Sequence, residues 1–290
     1  MINSERQKIL ITLICTLLGV YVPTSILWIV AAINVLTIGI IHGANDLYIL
    51  SNTIKLSTKR SFSSLFLIYI GFVLLMVIAL FRFPQWAVLL FVLASAFHFG
   101  EQHWYQKSHF PSLKLHFFYA AFGLFIFALL FYTHLDQTTD IIFAITTVHV
   151  GSSFFLFLLI GTTILTLLLL LPNMKQLSKQ LFFQFFALFA LVLLFSQTSL
   201  LWSFSVYFVL WHSIPSLQEQ ALVLYPNKPK PIRHYIRLAS PYWLLSLFGF
   251  AAALYFFSDN TESLLALFFS FLAAITIPHV WVIFWMHQKK

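Results

Sequence analysis

Four histidines lie in stretches where an ionisable side chain is costly. They sit in GIIHGANDLYIL (39 to 50), SAFHFGEQHWY (95 to 105), VLWHSIPSLQEQ (209 to 220) and TIPHVWVIFWMH (276 to 287), each within or at the end of a long apolar run. A titratable group in such a run is a functional candidate by default, because lipid offers it no hydration. Imidazole can hold a divalent transition metal while remaining neutral. His42, His98, His212 and His279 are therefore candidate ligands of one ion. Carboxylates recur beside them: Asp46 follows His42 by four residues, Glu101 follows His98 by three, and Glu219 follows His212 by seven. On a helix these spacings share a face, and a metal-bound imidazole normally gives its other N–H to a carboxylate, a carbonyl or water. Asp46, Glu101 and Glu219 are thus expected behind the imidazoles, with Gly43, Gly100, Pro215 and Pro278 permitting close helix approach or a local break.

Two plainer readings compete. A lone histidine inside a span can be an ordinary hydrogen-bonded packing residue. The same histidines and acids could also line a path across the membrane in a transporter or proton relay. His109, His116, His134, His149 and His234 fall in loops or span ends and are expected to be solvated, while His103 and His287 are intermediate.

The elements that must position these residues are read from hydropathy. Of the 290 residues 61% are hydrophobic and 8% charged, so the chain needs lipid as a solvent. Each spanning run must satisfy its own backbone hydrogen bonds, which helices do and open sheets do not. The expected fold is an all-α polytopic transmembrane bundle of about ten spans, a single integral membrane domain over residues 1–290. The spans fall near 9 to 22, 25 to 46, 63 to 82, 85 to 105, 115 to 132, 152 to 171, 180 to 197, 199 to 222, 241 to 257 and 263 to 286. A partial or interfacial helix is expected between Asp140 and Val150.

Charge tests this count. Arg6, Lys8, Lys55, Lys59, Arg60, Lys107, Lys114, Lys175, Lys179, Lys228, Lys230, Arg233, Arg237, Lys289 and Lys290 all fall on one side of the expected topology. Arg82 falls on the other, where the loops carry Asp136, Asp140, Asp259 and Glu262. Positive residues collect on the cytoplasmic side, so both termini are expected there, in a multi-pass protein of the inner (plasma) membrane. The net charge of +8 is thereby read as topology, with no nucleic-acid partner. A single cysteine, Cys15, excludes an intramolecular disulfide framework and a cysteine-based metal site within one chain. Arg6 and Lys8 before an apolar stretch resemble a signal peptide, but no small-residue cleavage site follows convincingly, and the stretch is read as an uncleaved first helix.

The four histidine segments occupy the second, fourth, eighth and tenth spans, which all run from outside to cytoplasm. At about 1.5 Å per residue the four imidazoles fall within a slab of roughly 10 Å or less, toward the cytoplasmic side. One depth suits convergence on one ion better than a complete path across the membrane.

HGAND (42 to 46), SAFHFG (95 to 100) and WHSIPSL (211 to 217) resemble the signature blocks of the Brp/Blh family, the membrane-bound bacterial and archaeal β-carotene 15,15'-dioxygenases, with similarity spread over most of the chain. The resemblance implies an enzyme dependent on ferrous iron, Fe(2+), that uses dioxygen to split the central double bond of β-carotene or a related carotenoid into two molecules of all-trans-retinal. It also implies a functional link to microbial rhodopsins, whose chromophore is retinal, and a non-catalytic role in opsin assembly is the alternative within that setting. Carried over by motif, the iron ligands are His42, His98 and His212. The family pattern has a second histidine four residues after the one in the third block, where this chain has Ser216. Depth makes His279 the substitute, with water or Glu219 as the other options. A carotene rod about as long as the roughly 30 Å hydrocarbon core, centred on a layer near one face, is expected to lie strongly tilted. The repeated histidine boxes of diiron desaturases are absent, and the last helices offer no convincing Schiff-base lysine for a rhodopsin.

Overall fold

In a chain this apolar, backbone N–H and C=O groups find partners only within their own segment, and the result is helix throughout. The structure, a computed structural model, describes residues 4–54, 59–104, 112–174, 178–257 and 264–288, and no strand occurs among them. The helices are α1 (Glu5–Tyr21), α2 (Thr24–Asn34), α3 (Asp46–Thr53), α4 (Lys59–Arg82), α5 (Pro84–Trp104), α6 (Ser112–Thr133), α7 (Leu135–Thr146), α8 (Ser152–Leu170), α9 (Ser178–Gln197), α10 (Leu200–Val206), α11 (Ile214–Leu224), α12 (Pro231–Phe256) and α13 (Leu264–Gln288). Two π-helical segments extend this set, Val35–Gly39 after α2 and Tyr207–Ser213 between α10 and α11.

Seven helical stretches among the described residues are long and apolar enough to cross a membrane: Phe62–Arg82, Leu113–Thr133, Ser152–Leu170, Gln180–Gln197, Leu200–Leu224, Pro231–Phe256 and Leu264–Gln288. The other three expected spans also have helical counterparts. α1 has 17 residues, Thr24–Gly39 is a shorter apolar helix, and α5 has 21 residues but carries His98, Glu101, Gln102 and His103 in its last two turns. The expected partial helix is α7, placed earlier in the chain than Asp140–Val150 and ended at Thr147, whose φ of 58° is left-handed. Of the charges used for orientation, Lys55, Lys107, Lys175, Asp259, Glu262, Lys289 and Lys290 lie outside the described residues.

The chain divides into two compact units. The first comprises Met1–Thr37, Ala96–Thr139 and Val150–Pro215; the second comprises Ile38–Ser95, Asp140–His149 and Ser216–Lys290. Within the first, α6 packs along α8, α1 along α9, and α2 against α10. The C-terminal part of α5 meets α6 almost backbone to backbone. A Cβ on Gly100 would run into the carbonyl of Tyr119, and one on Gly123 into the carbonyl of Ala96. Only glycine permits that approach. Within the second unit, α13 packs on α3 and α4, and α12 on α13. Leu47, Ile49, Leu50, Leu65, Val282, Ile283 and Met286 form its apolar core.

The π segment Tyr207–Ser213 has a local cause. Pro215 supplies no N–H, and in a regular helix its ring would press on the carbonyl four residues back. Widening the preceding turn removes that conflict. The Ser213 hydroxyl donates to the Phe208 carbonyl at 2.9 Å, five residues back, as the wider turn requires. The Trp211 indole N–H donates to the Thr12 hydroxyl at 3.0 Å, tying the segment to α1.

Candidate metal centre

The first unit brings together His98, from the glycine-tightened part of α5, and His212, from the π segment. Their ring centroids are 4.6 Å apart and their planes nearly perpendicular, at 76°. His212 stacks on Phe99 at 4.1 Å and 26° and on Phe208 at 5.7 Å and 15°, so two phenyl rings fix its plane. Glu101 is buried on the same helix. His103 belongs to different surroundings. Its Nε2 is 2.5 Å from the Gln184 side-chain oxygen, and its ring stacks on Trp211.

The second unit holds the other pair, His42 and His279, with centroids 4.8 Å apart and planes at 87°. His42 does not lie on a continuous helix with Asp46, as the sequence suggested. The π segment ends at Gly39, α3 begins at Asp46, and the backbone between them turns through Gly43 N–H to Ile40 and Asp46 N–H to Gly43. The break redistributes the partners. The ring Nδ1 of His42 bonds the Gly39 carbonyl, while Asp46 reaches His279, with Oδ1 2.8 Å from its Nδ1. The other Asp46 oxygen accepts the Tyr69 hydroxyl at 2.7 Å. Gly43 gives this arrangement room, since a Cβ there would stand 3.1 Å from the His279 Nδ1, a tight contact.

Both contacts have the same chemical consequence. A carbonyl and a carboxylate accept, so Nδ1 of His42 and Nδ1 of His279 each carry a proton, and in the neutral imidazole each Nε2 then keeps the lone pair a metal requires. The four histidines are buried, with exposures of 4% for His42, 1% for His98, 2% for His212 and 5% for His279. Within each unit the two adjacent imidazoles are donors of the type that can hold a metal ion.

Ser216 is buried on α11 and engaged with Gln220, its Oγ 2.8 Å from the Gln220 side-chain amide. Glu219, expected to share a face with His212, has Oε1 3.3 Å from the His287 Nε2, and both residues are buried. His134 is not solvated as expected. It is buried, with Nδ1 2.9 Å from the Leu130 carbonyl and Nε2 2.8 Å from that of Thr198. His149 is exposed and stacks on Phe143, and His116 and His234 are partly exposed. His109 lies outside the described residues. Sequence reasoning missed Tyr69, Tyr235, Asn45 and Gln220. Asn45 stands inside the HGAND block and Gln220 ends the segment VLWHSIPSLQEQ, while Tyr69 and Tyr235 lie outside every histidine segment.

An all-helical, strongly apolar chain with seven helices long and apolar enough to cross a membrane among its described residues, and with buried histidines that could hold a metal, defines the class as a membrane protein. The β-carotene 15,15'-dioxygenase family model matches residues 33–287, and the chain belongs to that family. No curated protein and no solved structure matches it.

Proposed function

We propose that the protein cleaves β-carotene at its central 15,15' double bond with dioxygen, giving two molecules of all-trans-retinal, and that it depends on Fe(2+). One observation carries this reading within the family: His42 and His279 are both buried and both held with Nδ1 engaged, which prepares Nε2 for a metal. The pair His98 and His212 and the pair His42 and His279 are taken as two halves of a single centre. Asp46 behind His279 favours that residue over Glu219 as the fourth ligand, since Glu219 faces His287. Ferrous iron, when bound by neutral imidazoles, supplies an electron-poor centre with room for dioxygen.

The chain's own residues do the rest. Asp46 and the Gly39 carbonyl set the tautomers of two imidazoles, and Tyr69 holds Asp46 in place. Phe99 and Phe208 keep the His212 ring in plane and exclude water from its faces. The net reaction puts one oxygen atom of dioxygen on each carbon of the broken bond, so no external reductant is consumed. A carotene dissolves in lipid and not in water, which accounts for a site carried on membrane helices with its few polar groups confined to the reacting centre. Ten spans, cytoplasmic termini, a single membrane domain in the plasma membrane and a supply of retinal to a rhodopsin complete the proposal.

The test is expression in a carotene-producing bacterial host. Loss of carotene colour with accumulation of retinal is expected, and both should vanish in the His42→Ala, His98→Ala, His212→Ala and His279→Ala variants while membrane content persists. Unchanged retinal from any one variant removes that residue from the centre. Colour that persists in the wild-type host overturns the enzymatic reading in favour of a helper or a relay.

A further inference from the structure

The helix break that frees His42 from a regular ladder leaves its own carbonyl to be satisfied. In an unbroken helix the Asp46 N–H would take it, but that N–H bonds Gly43 instead. The partner comes from α12: the Tyr235 hydroxyl lies 2.5 Å from the His42 carbonyl oxygen. A second bond runs in the opposite sense, from the Asn45 side-chain N–H to the Tyr235 backbone carbonyl at 2.9 Å. The two clamp the turn at both of its ends. Tyr235 and Asn45 are fully buried, as is Gln220, whose side-chain amide is 2.8 Å from the same hydroxyl. A phenol has one proton, and the His42 carbonyl can only accept it. The Gln220 amide, whose two ends are interchangeable, then completes the phenol oxygen as a donor and takes the Ser216 hydroxyl on its carbonyl. The network Ser216, Gln220, Tyr235, His42 thus links the position that departs from the family pattern to the backbone of a candidate ligand.

We propose that Tyr235 is a positioning residue for His42: through the His42 carbonyl and Asn45 it fixes the turn that aims the His42 imidazole, and Gln220 and Ser216 fix Tyr235. The inference rests on the reading of His42 as a metal ligand. It also assigns Ser216 a task of its own, holding the Gln220 amide where the family pattern has a histidine. Loss of a partner behind a ligand typically lowers metal affinity about 10- to 100-fold.

Two measurements on the purified full chain in lipid nanodiscs test it. In the first, the metal-free protein is labelled with 15N-histidine, and the His42 signals, assigned by their loss in His42→Gln, are compared between wild type and Tyr235→Phe. They are expected to report an Nδ1-protonated ring in wild type and to shift in Tyr235→Phe and in Gln220→Ala. Signals unchanged in Tyr235→Phe overturn the proposal whether or not the protein binds metal. In the second, Co2+ is the probe, read by its visible absorption. Tyr235→Phe is expected to weaken Co2+ binding about tenfold or more, with no further loss when the same change is made in His42→Ala. Equal losses in both backgrounds would mean that Tyr235 acts on the fold at large and not through His42, and would overturn the proposal. Wild-type protein that binds no Co2+ overturns the metal reading, and the His42 spectrum still decides the role of Tyr235.

Discussion

A buried imidazole can donate to a metal only if its proton is on the other nitrogen, and at His42 and His279 two different acceptors enforce that condition. At His42 the acceptor is a carbonyl of its own chain segment. At His279 it is a carboxylate from another helix, which is itself tied to Tyr69. The two histidines therefore differ in what a single substitution can undo. Asp46→Asn keeps the size of the side chain but can present an N–H to His279, so metal affinity should fall about 10- to 100-fold, read by iron content after dialysis. Tyr69→Phe removes only the hydroxyl that orients Asp46 and should cost less than Asp46→Asn in the same assay. Equal retention of iron in wild type and Asp46→Asn would remove the carboxylate from the centre. The histidines and Asp46 were legible from residue type and placement in apolar sequence, but their pairing was not. Spacing by four assigned Asp46 to His42 on the premise of an unbroken helix, and the turn through Gly43 carries it to His279 instead.

At the scale of the elements, the site depends on helices that depart from regular geometry or approach unusually closely. Hydrophobic periodicity reveals where helices are, because burial and lipid contact recur every turn, and each of the ten expected spans has a helical counterpart. It does not reveal a widened turn, since the extra residue of a π segment leaves no mark in composition. Pro215 and the Ser213 hydroxyl were the available clues to Tyr207–Ser213. Ser213→Ala leaves the Phe208 carbonyl without that donor and should lower stability by about 1 to 3 kcal/mol, measured by thermal unfolding in detergent. The glycines give a sharper contrast. Gly100 faces the Tyr119 carbonyl, whereas a Cβ on Gly71 in α4 meets nothing within 4 Å. Gly71→Ala should be neutral or stabilising by roughly 0.5 to 1 kcal/mol, as for a helix interior. Gly100→Ala should be destabilising, by about 1 to 3 kcal/mol for an overpacked contact. Similar unfolding temperatures for the two variants would contradict the close crossing of α5 and α6.

At the scale of the whole molecule, the fold class was legible because long continuous apolar runs in a chain that is 61% hydrophobic satisfy their backbone in lipid as helices. The candidate site was legible as four histidines, while the residues bonded around His42 and Asp46, Tyr69 and Tyr235, are ordinary in type and come from helices far away in sequence. The proposed function requires that His42, His98, His212 and His279 serve one ion. The direct measurement is the iron content per chain of protein purified without added chelator, in wild type, in the double variant His98→Ala/His212→Ala and in the double variant His42→Ala/His279→Ala. One iron per chain in wild type and essentially none in either double variant is the expected result. Iron retained at wild-type stoichiometry after loss of either pair would show that the two pairs do not share an ion.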